Sequence, residues 1–574
     1  MDNRTVAQVF GEIADLLELK GENAFKIRAY RNAADVIATS ADAVSRLDEA
    51  GLRALPGIGK DLAARIRELT TTGACAYHQT LLGEFPATIL ELLRLQGVGP
   101  KTVALLYTSM GIGSVEALAE AAKAGRLRTL KGMGPKKEAL ILKAIEERSR
   151  DTGRHLLSHT AAIAAELVDY LASHAPTVEF VPVGSLRRGQ ETCGDIDILA
   201  VSDAVSDALM EHFVGHPRVE RVLGHGDTKS SVRLQGGYQA DLRLVPRQSQ
   251  GAAMQYFTGS KAHNIAVRDR AVQRGLRLNE YGLFRVDDQT RVAGDSEAGI
   301  YAALGLAWID PALREQHGEI EAAETGALPT LVALDHIRGD LHAHTTESDG
   351  RDTLDAMAAA AHALGYRYLA ITDHSKALAM ANGLDEHRAL AHAARVRALN
   401  GRYEGLTLLA GIECDILGDG SLDLAHECLA QLDVVVASVH SQFSQDEARM
   451  TDRVLRALEC PWVDILGHAT GRLLLKRDPV HIDIDRVAAA AATRGVAIEI
   501  NSQPHRLDLN DAHARLARER GVRLVVSSDA HSTAELANVR WGIQVARRAW
   551  ATASDVLNTL DLDALRSSLR RSRN

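Results

Sequence analysis

Along the first fifty residues apolar side chains recur at helical spacing. Val6, Val9, Ile13, Leu16 and Leu17 mark one stripe, and Ala29-Tyr30-Arg31-Asn32-Ala33-Ala34 opens another. Steps of three and four residues place such side chains on one helix face, so residues 5–50 are predicted to form amphipathic helices. A further helix is predicted over 155–175. It leads into Val178-Glu179-Phe180-Val181-Pro182-Val183 and then Ile196-Asp197-Ile198-Leu199-Ala200-Val201, two strand-like runs. Residues 238–245 alternate strictly, with Ala240, Leu242 and Leu244 on one face and Asp241 and Arg243 on the other. Residues 254–277 return to helical spacing. The stretch 316–334 is rich in Glu, Ala, Gly and Thr, which suits a linker.

From residue 336 short apolar runs alternate with Ala-rich helical stretches. The runs begin at Asp340, Tyr368, Leu406, Asp433, Val463, Val496 and Arg523. Seven such β–α units predict a parallel, barrel-like α/β domain.

A Gly-x-Gly pattern appears three times in the first 150 residues: Leu55-Pro56-Gly57-Ile58-Gly59-Lys60, Leu95-Gln96-Gly97-Val98-Gly99-Pro100-Lys101 and Leu130-Lys131-Gly132-Met133-Gly134-Pro135-Lys136. Glycine permits a tight turn, and the helix start that follows each copy offers free N–H groups to an anion. One copy alone fits an ordinary αα-hairpin turn. Three copies, each with a Lys, point to phosphate contact through Gly57, Gly59, Lys60, Gly97, Gly99, Lys101, Gly132, Gly134 and Lys136.

Directly after the strand-like run 178–183 comes Gly184-Ser185-Leu186-Arg187-Arg188-Gly189, followed closely by Gly194-Asp195-Ile196-Asp197. In a strand Asp195 and Asp197 share a face and repel each other unless a divalent cation lies between them. The Gly-Ser turn and the two guanidinium groups suit phosphate. Asp241, on its own alternating strand, supplies a third carboxylate for a two-metal, in-line attack on phosphorus.

In the last region polar residues stand where each apolar run ends: His342 and His344, Asp373-His374, Glu413, His440, His468, Asn501, and Asp529 with His531. Of 23 histidines, 14 fall after residue 335. Barrel sites are built at the C-terminal ends of strands, so these side chains are predicted to converge as a metal cluster.

Composition adds limits. The 574 residues, 46% of them apolar, allow three or four cores. Five scattered cysteines without CxxC spacing argue against a disulfide framework and for a reducing compartment. No apolar run is long enough for a membrane span and the N-terminus has no signal-like core, so the expected location is the cytoplasm, and a monomer is expected. The net charge of −9 is unusual for a DNA-binding chain, but residues 1–150 hold a small excess of Lys and Arg and form the expected DNA-gripping end.

These motifs carry a resemblance. GSLRRG and GDIDIL, then ADLRLVP, then Tyr256-Phe257-Thr258-Gly259-Ser260 with Asn264 and Arg268 resemble family X DNA polymerases over most of residues 1–318. The resemblance implies Asp195, Asp197 and Asp241 as catalytic ligands of Mg²⁺ or Mn²⁺. It implies Arg154, Gly184, Ser185, Arg188 and Gly194 around the triphosphate. Tyr256, Phe257, Gly259 and Ser260 would lie along the sugar, Lys261 beside the nucleotide, and Asn264 and Arg268 at the base and template. The three Gly-x-Gly copies resemble helix-hairpin-helix motifs. Three positions depart from the family pattern: Cys193 stands for a phosphate-binding Ser, Gln239 for an Arg beside the third Asp, and Lys261 for an Asp. At the position where family members with lyase activity hold a Schiff-base lysine stands Arg65, with Lys60 and Lys26 as the nearest substitutes.

HAHTTESD, TDH, GIE, SVH, GH and SDAH resemble the PHP (polymerase and histidinol phosphatase) domain across 336–574. That resemblance implies one ion on His342, His344, Glu413 and Asp529. A second would share Glu413 with His440 and His468, and a third would use Asp349, His374 and His531. Mn²⁺ or Zn²⁺, up to three ions, suits such ligands.

The expected fold is therefore multidomain, α and α/β. It comprises a lyase-like helical domain (1–82), a helix-hairpin-helix subdomain (83–150), a nucleotidyltransferase palm (151–250), a thumb (251–318), a linker (319–335) and a PHP distorted (β/α)7 barrel (336–574). The expected function is gap filling in base excision repair on gapped or nicked DNA with dNTPs, alongside other repair proteins, with metal-dependent 3′-end processing. The sequence does not separate 3′–5′ exonuclease, 3′-phosphatase and abasic-site cleavage. Alternatives are a nucleotidyltransferase fused to a histidinol-phosphatase-like phosphomonoesterase, and a DNA-end-binding scaffold.

Overall fold

The computed structural model describes residues 3–39, 44–86, 88–93, 95, 98–130, 132–135, 137–142, 153–203 and 207–569. They form two compact units, Met1–Thr152 and Gly153–Asn574.

The first unit is helical. Asn3–Leu19 and Ala24–Thr39 pack along their apolar stripes, and Val6, Phe10, Ile13, Leu16 and Leu17 are fully buried. That core continues without a break through Val103, Leu106 and Leu118 to Ile141, so the stretches expected as domains 1–82 and 83–150 share one hydrophobic core.

All three Gly-x-Gly turns have one hydrogen-bond scheme. Ile58, Val98 and Met133 donate their N–H to the carbonyls of Leu55, Leu95 and Leu130 at 3.0–3.1 Å, and each is buried. Gly57 and Gly132 adopt φ of 76° and 81°, which a side chain would resist. Gly59 and Gly99 then cap Lys60–Thr72 and Pro100–Met110. Lys60 and Lys101 are exposed, as are Gly57, Gly59, Gly99, Gly132 and Gly134, while Gly97 and Lys136 lie outside the described residues.

The palm is a five-stranded sheet in the order Glu179–Pro182, Asp195–Val201, Gln239–Val245, Lys229–Leu234, Val219–His225. Its alternating strands bury Ile196, Ile198, Ala240 and Leu242 against the helix Leu157–His174. The thumb follows: helices Gln250–Thr258 and Lys261–Gln273, a three-stranded antiparallel sheet, and helix Glu297–Ala303.

The stretch expected as a linker is packed instead. It carries the helix Glu319–Thr325, whose Ile320 and Ala323 join the thumb core. Glu319 is fully buried, and His263 Nδ1 meets its carboxylate at 2.6 Å. A paired buried acid and a solvated one read alike in sequence.

Beyond it, seven parallel strands pair strictly in chain order from Gly339–Asp340 to Leu524–Ser527. A bridge between Ala343 and Ala530 joins the ends of the first and last, giving a nearly closed barrel. Strands such as Val434–Ser438 are buried along their whole length, as parallel strands covered on both faces must be. Every strand therefore ends at one mouth.

Candidate active sites

In the palm, Asp197 and Asp241 are register partners on adjacent parallel strands, and Asp195 precedes Asp197 by two residues on the same face. The three carboxylates thus meet on one side of the sheet. Burial first, and then Asp195 and Asp241, push the Asp197 carboxyl up to about 7. Such crowding fits divalent cations. Lys229 Nζ lies 3.3 Å from Asp241, and Gln239 Nε2 donates to the same carboxylate at 3.3 Å. Gln239 so keeps a donor on Asp241 where the family pattern has an Arg.

The Gly-Ser stretch, expected as a turn, is one helical turn, Gly184–Arg187. Gly184 has φ of 66°, and a Cβ there would stand 2.6 Å from Asp197 Oδ2. Only glycine fits. Ser185 Oγ is buried, with the Cys193 thiol as its neighbour. Arg154 Nε donates to Thr192 Oγ1 at 2.8 Å, and its guanidinium lies beside Gly194. Arg188 runs along the sugar-side segment, with Nη1 donating to the Thr258 carbonyl at 2.5 Å. Cys193 is buried, which raises its thiol pKa and keeps it neutral.

Tyr256 and Phe257 pack edge to face at 5.0 Å, and Arg243 lies over the Phe257 ring. Ser260 caps the helix that begins with exposed Lys261, accepting from His263 N at 3.3 Å. Gln255 Nε2 donates to Asn264 Oδ1 at 2.8 Å, which orients that amide, while Asn264 Nδ2 donates to the Tyr256 carbonyl. Arg268 is exposed and its Nε donates to the Asn264 carbonyl.

At the barrel mouth, His342, His344 and Asp529 form one potential ligand group, His344, Asp349, His374 and His531 another, and His374, Glu413 and His440 a third. Glu413 is central: His468 Nε2 is 2.9 Å away, His374 Nδ1 2.9 Å, and His342 Nε2 and His440 Nε2 3.3 Å. His374 reaches Glu413 with Nδ1 and Asp349 with Nε2, so it stands between two of the expected ion positions. His344 likewise faces both Asp529 and Asp349.

His342 Nε2, His344 Nδ1, His374 Nδ1, His468 Nδ1 and Glu413 Oε2 are buried and make no aligned hydrogen bond, although His374 Nδ1 and His342 Nε2 approach Glu413 Oε2 at 2.9 and 3.3 Å. Leaving so many polar atoms unsatisfied is costly unless metal ions take them. The surrounding shell agrees. His342 Nδ1 meets Glu499 at 2.7 Å, His440 Nδ1 meets Asp415 at 3.0 Å, and His531 Nδ1 meets the Asp529 carbonyl at 2.9 Å. Each contact turns Nε2 toward the cluster, the usual arrangement behind a ligating histidine. Burial opposes the charging of His342, but Glu499, Glu413 and Asp529 outweigh it and raise its pKa well above the ordinary value.

Three contributors, Glu499, Asp415 and Arg506, were not singled out from the sequence, whereas Asp373 was named there as a strand-end residue. Glu499 and Asp415 lie on apolar strands, where a buried acid was the available signal. Asp373 accepts from Thr345, Ser348 and His392 and fixes the loop of Asp349. Arg506 brings Nε to 3.9 Å from Asp529 and places a cation at the cluster.

Comparison with known proteins finds described families along both halves of the chain. Family models match for a helix-hairpin-helix domain (1–75), a SAM-like helix-hairpin-helix tandem (89–147), the DNA polymerase beta palm (157–230), the DNA polymerase beta thumb (253–315) and the PHP domain (340–503). The chain is 37% identical over 573 residues, all of both proteins, to the DNA polymerase/3′-5′ exonuclease PolX of Bacillus subtilis (strain 168). It belongs to the bacterial family X DNA polymerases with a PHP domain. The chain is also 31% identical over 232 residues to a "Probable phosphatase" of Thermoanaerobacter sp. (strain X514), covering 38% of this chain and 89% of the relative. A similarly named protein of Shewanella sp. (strain MR-4) is 34% identical over 203 residues, 33% of this chain and 75% of the relative. Both activities of the family are metal-dependent. Among the described residues no helix is long and apolar enough to cross a membrane.

Proposed function

We propose that this polymerase fills short gaps in DNA during repair at the palm and processes DNA 3′ ends, by 3′–5′ exonuclease action, at the barrel. What carries the reading is two separate ligand sets on one chain: three carboxylates on one sheet face and nine His, Asp and Glu side chains at the barrel mouth.

Asp195, Asp197 and Asp241 would hold Mg²⁺ or Mn²⁺, which neutralise the triphosphate and favour the primer 3′-oxygen as nucleophile. That oxygen attacks the α-phosphorus in line and pyrophosphate leaves. Ser185, Arg188 and Arg154 bind the phosphates, with Gly184 and Gly194 allowing close approach. Tyr256 to Ser260 line the sugar, and Lys261, Asn264 and Arg268 meet the nucleotide and template. The Gly-x-Gly turns grip the backbone without reading sequence.

At the barrel, His342, His344, Asp349, His374, Glu413, His440, His468, Asp529 and His531 would hold up to three Mn²⁺ or Zn²⁺ ions, which supply an activated water for phosphodiester cleavage. Glu499 and Asp415 orient His342 and His440. A second reading, phosphomonoester hydrolysis, is favoured by the names of the chain's shorter relatives.

The test is gapped, 3′-end-region-labelled DNA with Mg²⁺ or Mn²⁺, with and without dNTPs. Extension to the gap end with dNTPs, and a shortening ladder without them, is expected. Loss of only a 3′-phosphate would favour the second reading, and no extension would refute the first.

A further inference from the structure

Glu315 closes the thumb, next to buried Arg314, and a single oxygen of its carboxylate takes three donors. Oε1 accepts from Arg188 Nε at 2.8 Å, Gln190 Nε2 at 2.6 Å and Arg548 Nη1 at 2.9 Å. Arg188 and Gln190 belong to the palm's phosphate-binding loop. Arg548 ends the helix Val539–Arg548 of the PHP domain. One carboxylate therefore serves two guanidinium groups from two domains, and one of these is the arginine assigned above to the triphosphate.

The PHP helix is firmly seated against that loop. Arg548 Nη1 also donates to the Arg188 carbonyl at 3.2 Å, and its Nη2 donates to Asp511 at 2.5 Å. A Cβ on Gly189 would stand 3.0 Å from Gln544 Oε1 of the same helix. Trp550, just past the helix, is buried in the thumb core. Nearby, Arg472 of the barrel pairs with Glu191 of the loop at 2.6 Å.

We propose that Glu315 and Arg548 form a latch that sets how readily Arg188 is released to an incoming triphosphate, making a PHP-domain side chain a positioning residue for the polymerase. The inference rests on the assignment of Arg188 to the triphosphate. Glu315 competes with the triphosphate for Arg188. Arg548, anchored by Asp511, offers Glu315 a second cation and so lowers the cost of letting Arg188 go. Without Arg548, Arg188 is the one cation left on Glu315 and is held more tightly.

The predicted effects have opposite signs. For the full-length chain binding a non-hydrolysable dNTP analogue with Mg²⁺, Glu315→Gln should tighten binding and Arg548→Gln should weaken it. Each change should be about tenfold, the scale of one charge-assisted hydrogen bond. The double variant should bind like Glu315→Gln alone, because without the carboxylate Arg548 has nothing to relieve. The effect should appear in dNTP affinity and KM with kcat little changed, and 3′-end hydrolysis should persist as a check on folding. A general loss of packing would weaken both variants. Weaker or unchanged binding in Glu315→Gln, or an Arg548→Gln effect that survives in the double variant, would overturn the latch. Arg188→Gln separates the two claims: if it leaves affinity unchanged, the triphosphate assignment itself is wrong. If it weakens binding while the other variants do not shift as stated, the latch alone fails.

Discussion

Asp197 and Asp241 face each other as register partners on adjacent parallel strands, with Lys229 Nζ 3.3 Å from Asp241. Burial and the two neighbouring acids raise Asp197 to about 7. A carboxyl whose folded pKa exceeds its unfolded value of 3.8 favours the fold when neutral. That contribution is complete below the unfolded pKa and is lost as pH rises through about 7. Metal-free protein should therefore lose stability as pH rises from about 4 to about 7, and Mg²⁺ should stabilise it increasingly over the same window. Thermal unfolding in EDTA and in Mg²⁺ checks this against Asp197→Asn, which should flatten the Asp197-dependent part. Equal pH dependence in wild type and variant would contradict it.

Glu499 should be essential to the barrel without contacting substrate. Its carboxylate is fully buried, accepting from His342 Nδ1 and, at 2.7 Å, from His468 N. Glu499→Gln keeps the shape but removes the charge that makes His342 a better ligand. Metal affinity and 3′-end hydrolysis should fall about 10- to 100-fold, with gap filling unaffected. Metal titration monitored by calorimetry is the check, and unchanged affinity would refute the role.

Much of this was legible because periodicity survives in long, regular elements. The alternation over 238–245 fixed which face Asp241 takes, and strands ending in His or Asp located the barrel mouth. Contacts between residues far apart in sequence left no such trace. Arg187 binds Glu297 at 2.7 Å and Glu297 in turn holds buried Arg314, locking palm to thumb, yet each looks like a surface charge in the chain. The Glu315 latch and the pairing of Glu319 with His263 were hidden for the same reason: burial turns a charge into a partner only once the fold exists.

Lys261 should strengthen nucleotide binding. It opens the helix that carries Asn264 and Arg268 and is exposed there, able to meet a triphosphate or a base. Lys261→Ala should weaken dNTP affinity severalfold, measured by equilibrium titration. An unchanged value would make it an ordinary solvated lysine.

Deoxyribose-phosphate lyase activity should be weak or absent. Arg65 lies 4.0 Å from the Tyr77 ring, and a guanidinium does not supply the neutral primary amine that a Schiff base needs. Lys26 reaches the same ring at 5.3 Å. Its contact with Tyr77, and then Glu22, raises its pKa and disfavours the neutral amine. Lys60 is exposed beside the Gly turn. Borohydride trapping on a 5′-deoxyribose-phosphate nick is the check. Strong trapping would contradict the expectation, and its loss in Lys60→Ala would identify the amine.

The central claim is that one chain carries two independent phosphoryl-transfer sites. The direct measurement compares Asp241→Ala and Glu413→Ala on the same gapped, labelled DNA, scoring extension and 3′-end hydrolysis together. Asp241→Ala should abolish extension and leave hydrolysis nearly intact, and Glu413→Ala should do the reverse. If either substitution removed both activities in a protein that stayed folded, the two-site account would be wrong.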